Sequence, residues 1–384
     1  SPSAVGNNYT GFITLNIAGL TNGEAVKVQT YLDLNGNGVV DAGEPLIDAF
    51  NLIDGGVTTI GGITNISVPF DSNPATGAIT VTLSFAPTLE NVVGQKIYRV
   101  VSNPSGAFTP VTATLDVTNA ALPQSIGGIV YSNGIAPLAH AIVVALTATN
   151  TSYVASTVAN ESGQYFLTLP AGSYVLLAAL PGFFTDQSLS PLVTLTSGVS
   201  ATNNLFLTNG IVSVSGQVVD AGNSNALGGV FLQAQANSLF AVTFTDTNGD
   251  YTFGATSNNW KIDASPERLA RRGYVTPQGS ALKVNATLGS VTNANIALNK
   301  GNALFYGQLT VTNTPVANVV VQCNDSDAIL SGKGYTDAHG NFAVVALVDT
   351  NVLGTNDFGW ESTADLSDGG SGSTLLNFIF NQAN

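Results

Sequence analysis

Asp33, Asn35, Asn37, Gly38, Val39, Asp41 and Glu44 fall inside one run of twelve residues, Asp33-Leu34-Asn35-Gly36-Asn37-Gly38-Val39-Val40-Asp41-Ala42-Gly43-Glu44. Side-chain oxygens stand at its first, third, fifth, ninth and last places, and glycine at the sixth. A hard divalent cation is wrapped by oxygens at about 2.3–2.6 Å, which requires a backbone that doubles back sharply. Asp33, Asn35 and Asn37 would give side-chain oxygens, Gly38 the sharp turn and Val39 its carbonyl. Asp41 would bind directly or through water, and Glu44 would close the shell with a bidentate carboxylate. Calcium (Ca2+) is therefore the expected cofactor. The plain alternative is an Asn- and Gly-rich turn with no ion.

The elements that must hold this loop read as strands. Lys27-Val28-Gln29-Thr30-Tyr31 alternates before it, and Pro45 follows Glu44 at once, so neither flank has a helical pattern. The loop, an EF-hand-type loop without its helices, resembles those of β-sandwich repeats in bacterial surface adhesins. That resemblance implies an ion that stiffens a module rather than one that switches it.

Composition agrees with strands. The 384 residues are 44% hydrophobic and only 9% charged, so Thr, Ser, Asn, Gln and Gly must cover the surface where an average chain has about 25% charge. Val, Ile and Thr set against 41 Gly and 15 Pro predict short strands and tight turns, an all-β fold of tandem immunoglobulin-like or transthyretin-like β-sandwich domains. A net charge of −14 repels nucleic acid and anionic lipid, so no nucleic-acid partner is expected. Arg268, Arg271 and Arg272, beside Glu267, read as a solvated loop or a single helical turn. Cys323 has no partner for a disulfide, and the apolar runs are too short to insert in a membrane. Met is absent even at position 1, so Ser1 is expected to begin a processed or excerpted chain. Sequons at Asn8, Asn65, Asn150, Asn160, Asn285 and Asn324 carry little weight in a chain so rich in Asn, Ser and Thr.

Two landmarks repeat. Asn160-Glu161-Ser162-Gly163-Gln164-Tyr165, Asp246-Thr247-Asn248-Gly249-Asp250-Tyr251 and Asp337-Ala338-His339-Gly340-Asn341-Phe342 share a polar turn, then Gly, one residue and an aromatic. Upstream, Gly128, Gly216 and Gly307 sit in strand-like stretches, 88 residues apart (128 to 216) and then 91 (216 to 307). The period predicts a calcium-loop β-sandwich over 1–122, repeats over 123–210 and 211–300, and a divergent β-sandwich over 301–384. Gly128-Ile129-Val130, Ala136-Pro137-Leu138, Gly163-Gln164-Tyr165-Phe166 and Leu169-Pro170-Ala171-Gly172-Ser173-Tyr174 resemble the carboxypeptidase regulatory-like family. The third segment resembles it through Gly216-Gln217-Val218 and Gly249-Asp250-Tyr251. The family resemblance implies spacer and interaction modules of secreted proteins, with no catalysis.

No catalytic constellation stands out. His140 and His339 occupy equivalent-looking positions in different segments, Cys323 reads as a buried small hydrophobe, and no nucleophile elbow or phosphate loop appears. The chain is read as not an enzyme. Asp246 with Asp250, Asp325 with Asp327, and Asp357, Glu361, Asp365 and Asp368 read as solvated turns. Asp368-Gly369-Gly370-Ser371-Gly372-Ser373 reads as a flexible linker, and Thr374 to Phe380 as an apolar strand able to close its own module or pair with a neighbour. The expected function is a secreted, cell-surface structural protein of a prokaryote. It would be a subunit of a head-to-tail filament built from copies of itself by strand pairing and stiffened by calcium. The alternatives are a monomeric adhesin stalk or a carbohydrate-binding appendage of a secreted enzyme that presents Trp260, Trp360 or Tyr335 to glycans, although Trp260 and Trp360 read first as fillers of module cores. An intramolecular isopeptide bond would use Lys27 or Lys283.

Overall fold

The computed structural model describes residues 1–85, 91–133, 135–149, 153–277, 282–311, 313–325, 330–347, 360–364 and 379–382. Among the described residues nearly every element is a strand, and the longest helix, Pro266–Ala270, has five residues. The all-β expectation holds.

In the first part, Ala4–Gly6, Val111–Thr118, Gly94–Ser102, Ala25–Asp33 and Leu46–Ile53 make a five-stranded sheet in that order. The hairpin-like pair Phe12–Ala18 and Ala78–Ser84 faces it. Alternate side chains meet between the layers, among them Val26, Val28, Ile79, Val81, Leu115 and Val117, all essentially buried.

The second and third segments repeat one frame. Ser125–Ser132 pairs antiparallel with Gln164–Thr168 on one side and parallel with Leu205–Asn209 on the other. Val212–Asp220 pairs antiparallel with Asp250–Ala255 and parallel with Ile296–Leu298. The polar turns match bond for bond. Asn160 Oδ1 accepts from the Ser162 and Gln164 amides, Asp246 Oδ1 from those of Asn248 and Asp250, and Asp337 Oδ1 from those of His339 and Asn341. Gly163, Gly249 and Gly340 follow with φ of 72, 75 and 75°, a left-handed backbone that glycine adopts without penalty. Asp246 with Asp250 is thus a turn, as read.

These parts are not strung in a row. Thr185 and Asp186 pair with Phe240 and Leu239, which continues a sheet of the second segment into the third. Thr276–Pro277 extends the sheet of Leu330–Tyr335 in the fourth. The first part touches all three others. Leu32, Ile47 and Val92 pack with Ile142 of the second segment and, at their margin, Phe244 of the third. Ile60, Ile63 and Ile66 pack against Leu304, Ala343 and Val345 of the fourth.

The arginine cluster corrects the sequence reading. It does form a short helical turn, but not a solvated one, for Arg268 and Arg271 are 2% and 8% exposed. Arg268 donates to the Ile47 carbonyl and Arg271 to the Ser84 carbonyl. Arg272 bonds Asp48 Oδ1 at 2.7 Å and the carbonyls of Gly228 and Gly229 at 2.6 and 2.9 Å. Three cations in this acidic chain thus hold the third segment to the first. A buried charge persists only where it is paired and hydrogen-bonded, and the carbonyls and Asp48 provide that.

Candidate functional site

Strands Ala25–Asp33 and Leu46–Ile53 form an antiparallel pair, and the twelve-residue loop closes it. Asp33 is the last residue of its strand and is 5% exposed; Leu34, Gly38, Val40 and Glu44 are half-buried and the other loop residues are exposed. Gly38 has φ of 73°, so the turn expected at the sixth place is present.

The loop's oxygens converge through bonds to its own backbone. Asp33 Oδ1 and Oδ2 accept from the Gly36 and Gly38 amides at 2.6 and 2.7 Å. Asn35 Oδ1 and Asn37 Oδ1 accept from the amides two residues on, those of Asn37 and Val39. Glu44 folds back over the loop, accepting from Leu34 N at 3.1 Å and Asp41 N at 2.9 Å. Asp41 Oδ2 accepts from the side-chain amides of Asn35 and Asn37 at 2.8 and 2.7 Å.

Those amide donors hold the Asp41 carboxyl below the ordinary carboxylate range. Glu44 shifts the other way, raised first by burial and further by the charges of Asp33 and Asp41, against the pull of its two backbone donors. The donor chemistry suits calcium, since each carboxylate and amide oxygen keeps acceptor capacity beyond the bond it makes. The geometry is closed on itself. Among the described residues no three His, Cys, Asp or Glu side chains form a group that could hold a metal ion, and the Asn35 and Asn37 amides stand where a cation would face Asp41.

Other predicted sites fall apart or lie elsewhere. His140 bonds Glu161 at 2.8 Å, and His339 is an exposed turn residue. Cys323 is buried and free. Trp260 is fully buried, stacks edge-on against Phe253 and Phe184, and donates to the Thr256 carbonyl, so it offers no platform to a glycan. Tyr335 is half-buried. The side chains of Trp360, Glu361 and Asp325, and all of Asp327, Asp357, Asp365, Asp368 and residues 368–378, lie outside the described residues. Lys27 is half-buried and Lys283 exposed, whereas Lys96, not singled out by sequence, is fully buried and donates to the Val92 carbonyl at 2.6 Å.

A second site emerges where the repeats differ. In the fourth segment Ala303–Gln308 pairs antiparallel with Asn341–Ala346, as its counterparts do, but its other side carries Ile379–Gln382 in antiparallel register. On that side the second and third segments carry parallel strands a few residues further along, Leu205–Asn209 beside Val130–Ser132 and Ile296–Leu298 beside Val218–Asp220, preceded by Asn204 and Asn295 to spell Asn204-Leu205-Phe206-Leu207 and Asn295-Ile296-Ala297-Leu298. In both, the asparagine's Oδ1 accepts from the first strand's backbone, at Ile129 N and Gln217 N. The same spelling recurs as Asn377-Phe378-Ile379-Phe380, a repeat signal that sequence reading could have used.

No known protein family matches the chain by sequence. No curated protein matches it either. Solved structures give distant likenesses. A streptococcal ancillary pilin is 12% identical with a TM-score of 0.23, over 75% of this chain and 99% of its own. The Bacillus anthracis TIE protein is 12% identical with a TM-score of 0.21, over 100% of this chain and 71% of its own. The shaft pilin SpaA from Lactobacillus rhamnosus GG is 13% identical with a TM-score of 0.20, over 46% and 97%. No described helix is long and apolar enough to cross a membrane.

Proposed function

We propose that the chain is an extracellular structural subunit of a prokaryotic surface filament, without enzymatic activity, in which copies join by strand pairing and calcium stiffens the first module. The observation that carries this reading is the edge of Ala303–Gln308. Two sister repeats carry on that side of the first strand, just beyond this stretch, a parallel strand of Asn-apolar-x-apolar spelling, while here Ile379–Gln382, from the end of the segment with the same spelling, pairs antiparallel. An edge whose occupant can run either way is suited to exchange, because main-chain bonds are satisfied by any strand and side-chain pockets select which one. A neighbour's 377–380 segment, entering parallel, would complete the fourth repeat as the second and third are completed. Repetition of that step gives an open filament.

Calcium fits this assembly through its place. Leu34, the second residue of the loop, packs against the cluster where the first, second and third segments meet. An ion held by Asp33, Asn35, Asn37, Val39, Asp41 and Glu44 would therefore fix the junction as well as the hairpin. The packing of the first part against all the others favours a compact building block over a linear stalk.

Negative-stain electron microscopy of the full chain at neutral pH, with calcium and with a chelator, tests both parts. Filaments are expected, and Phe380→Asp should leave folded, non-polymerising protein. Monomers from the unaltered chain in calcium would sink the filament reading. Calcium is tested separately by the thermal midpoint, which should rise with the ion by the equivalent of about 2–3 kcal/mol at saturating excess. Glu44→Gln should abolish the rise, and a midpoint indifferent to calcium removes the ion from the account.

A further inference from the structure

We propose that the outward face of the second repeat's sheet is a binding platform for a neutral oligosaccharide, centred on Phe166, Ile129, Tyr131 and Phe206. Strand alternation sets the face. Ile126, Val130, Leu167, Leu205 and Leu207 point into the core, so the residues between them point out. Phe166 stands opposite Gly127, and Phe206 opposite Tyr131. Both phenylalanines remain more than half exposed, at 53% and 57%, and Phe206 stacks on Tyr131 with ring centroids 5.9 Å apart and planes 19° from parallel. Gly127 and Tyr131 are four residues apart on one strand, about 13 Å along it, and the two phenylalanines flank that strand on opposite sides, about 10 Å apart across the sheet. That span suits a chain of sugar rings better than a single one.

The third repeat gives the control. Its frame is the same, yet the positions matching Ile129, Tyr131, Phe166 and Phe206 hold Gln217, Val219, Thr252 and Ala297. The fold therefore does not need aromatics on this face. The half-exposure of the two phenylalanines in the second repeat forgoes apolar burial of about 1–1.5 kcal/mol for each side chain.

The surroundings select the ligand. An open groove of about 790 Å3 adjoins Phe166, lined with amides and hydroxyls from Asn119, Asn160, Gln164, Thr202 and Asn204 and with no Asp, Glu, Lys or Arg. Asn204 uses its Oδ1 on Ile129 N, which leaves its amide hydrogens to face a ligand. Flat aromatic faces beside fixed, uncharged donors and acceptors match the apolar faces and hydroxyl rims of neutral sugars. A charged polymer would find no counter-charge in this groove.

The test uses the full chain and a panel of short neutral oligosaccharides of glucose, mannose, galactose and N-acetylglucosamine, with sialylated lactose as the charged member, read by calorimetry and by saturation-transfer NMR. At least one neutral member is expected to bind. Phe166→Ala and Phe206→Ala should each weaken it about tenfold or more while leaving the thermal midpoint nearly in place. Phe166→Trp should keep binding, and Thr252→Ala on the third repeat should not alter it. The proposal is overturned if no neutral member binds, if only sialylated lactose binds, or if affinity survives both alanine changes. Loss of self-association in the alanine variants, without sugar binding by the unaltered chain, would instead make the face a contact between copies.

Discussion

The second and third repeats share one strand frame and the same turn bonds, and what each builds on that frame is different. Gly128 and Gly216 sit where the closing parallel strand crosses nearest: a Cβ would lie 1.8 Å from the Asn203 carbonyl oxygen in one and 2.1 Å from that of Ala294 in the other. Tyr165 and Tyr251, paired across from these glycines, donate their hydroxyls to the same two carbonyls. Around that common centre the second repeat presents Phe166 and Phe206 to solvent, while the third sends out the short helix whose arginines grip the first module. Frame and task are thus written in different residues. The frame lies in glycines and buried tyrosines, the task in side chains the frame leaves unconstrained.

The hardest way to break the likeness is through its glycines. Gly128→Ala and Gly216→Ala each force a backbone carbonyl to move, and the parallel closing strand with it. A loss of about 4 kcal/mol or more is expected from each, large enough to unfold the repeat concerned. Denaturant titration of the two variants should give similar losses. A change tolerated in one repeat and not in the other would mean that the shared frame is shared only in outline.

Arg272→Ala attacks what only the third repeat has. It leaves Asp48, whose side chain is 6% exposed, buried without its cation, and the expected cost is about 3 kcal/mol. Replacing both partners with apolar residues of similar size should cost much less, since the penalty lies in the orphaned charge. Thermal unfolding of Arg272→Ala and of an Asp48→Leu, Arg272→Met double variant checks this. Equal losses in both would place the cost in packing instead.

What could be read from sequence follows the same division. The frame was legible because it depends on local chemistry: alternation gave strands, and Asn-x-x-Gly or Asp-x-x-Gly before an aromatic gave the turns. The twelve-residue loop was legible as a spacing, and its place at the end of a hairpin followed from Pro45 and the alternation before Asp33. The arginine helix was not, because burying Arg268, Arg271 and Arg272 depends on Ile47, Asp48 and Ser84, some 190 to 220 positions away, and nothing local distinguishes a solvated cation from one that has found a distant carbonyl. The aromatic platform escaped for the opposite reason. Trp260 drew notice as a rare residue and fills a core, as its bulk suggested, whereas Phe166 and Phe206 are ordinary strand residues until register puts them outside.

The gentlest test sharpens the comparison by carrying it to the fourth repeat, where Phe342 stands in the place of Tyr165 and Tyr251 and has no hydroxyl to give. Burial lifts the Tyr165 and Tyr251 phenols above the usual range, and each donates to a carbonyl that would otherwise lose a partner. Tyr165→Phe and Tyr251→Phe should each cost about 1 kcal/mol at neutral pH. The raised values also fix a sign. Unfolded tyrosine ionises near pH 10, so above about pH 10 the unfolded chain sheds protons that the native chain keeps, and native stability falls as pH rises. Each Tyr→Phe variant removes one such group, so its deficit against the parent should shrink between pH 9 and pH 11 (~ values set by the unfolded phenol). Stability curves measured across that window decide the matter: a deficit that stays constant would mean that these phenols ionise alike in both states, and no deficit at any pH would mean that the tyrosines serve the frame by their rings alone, as Phe342 does.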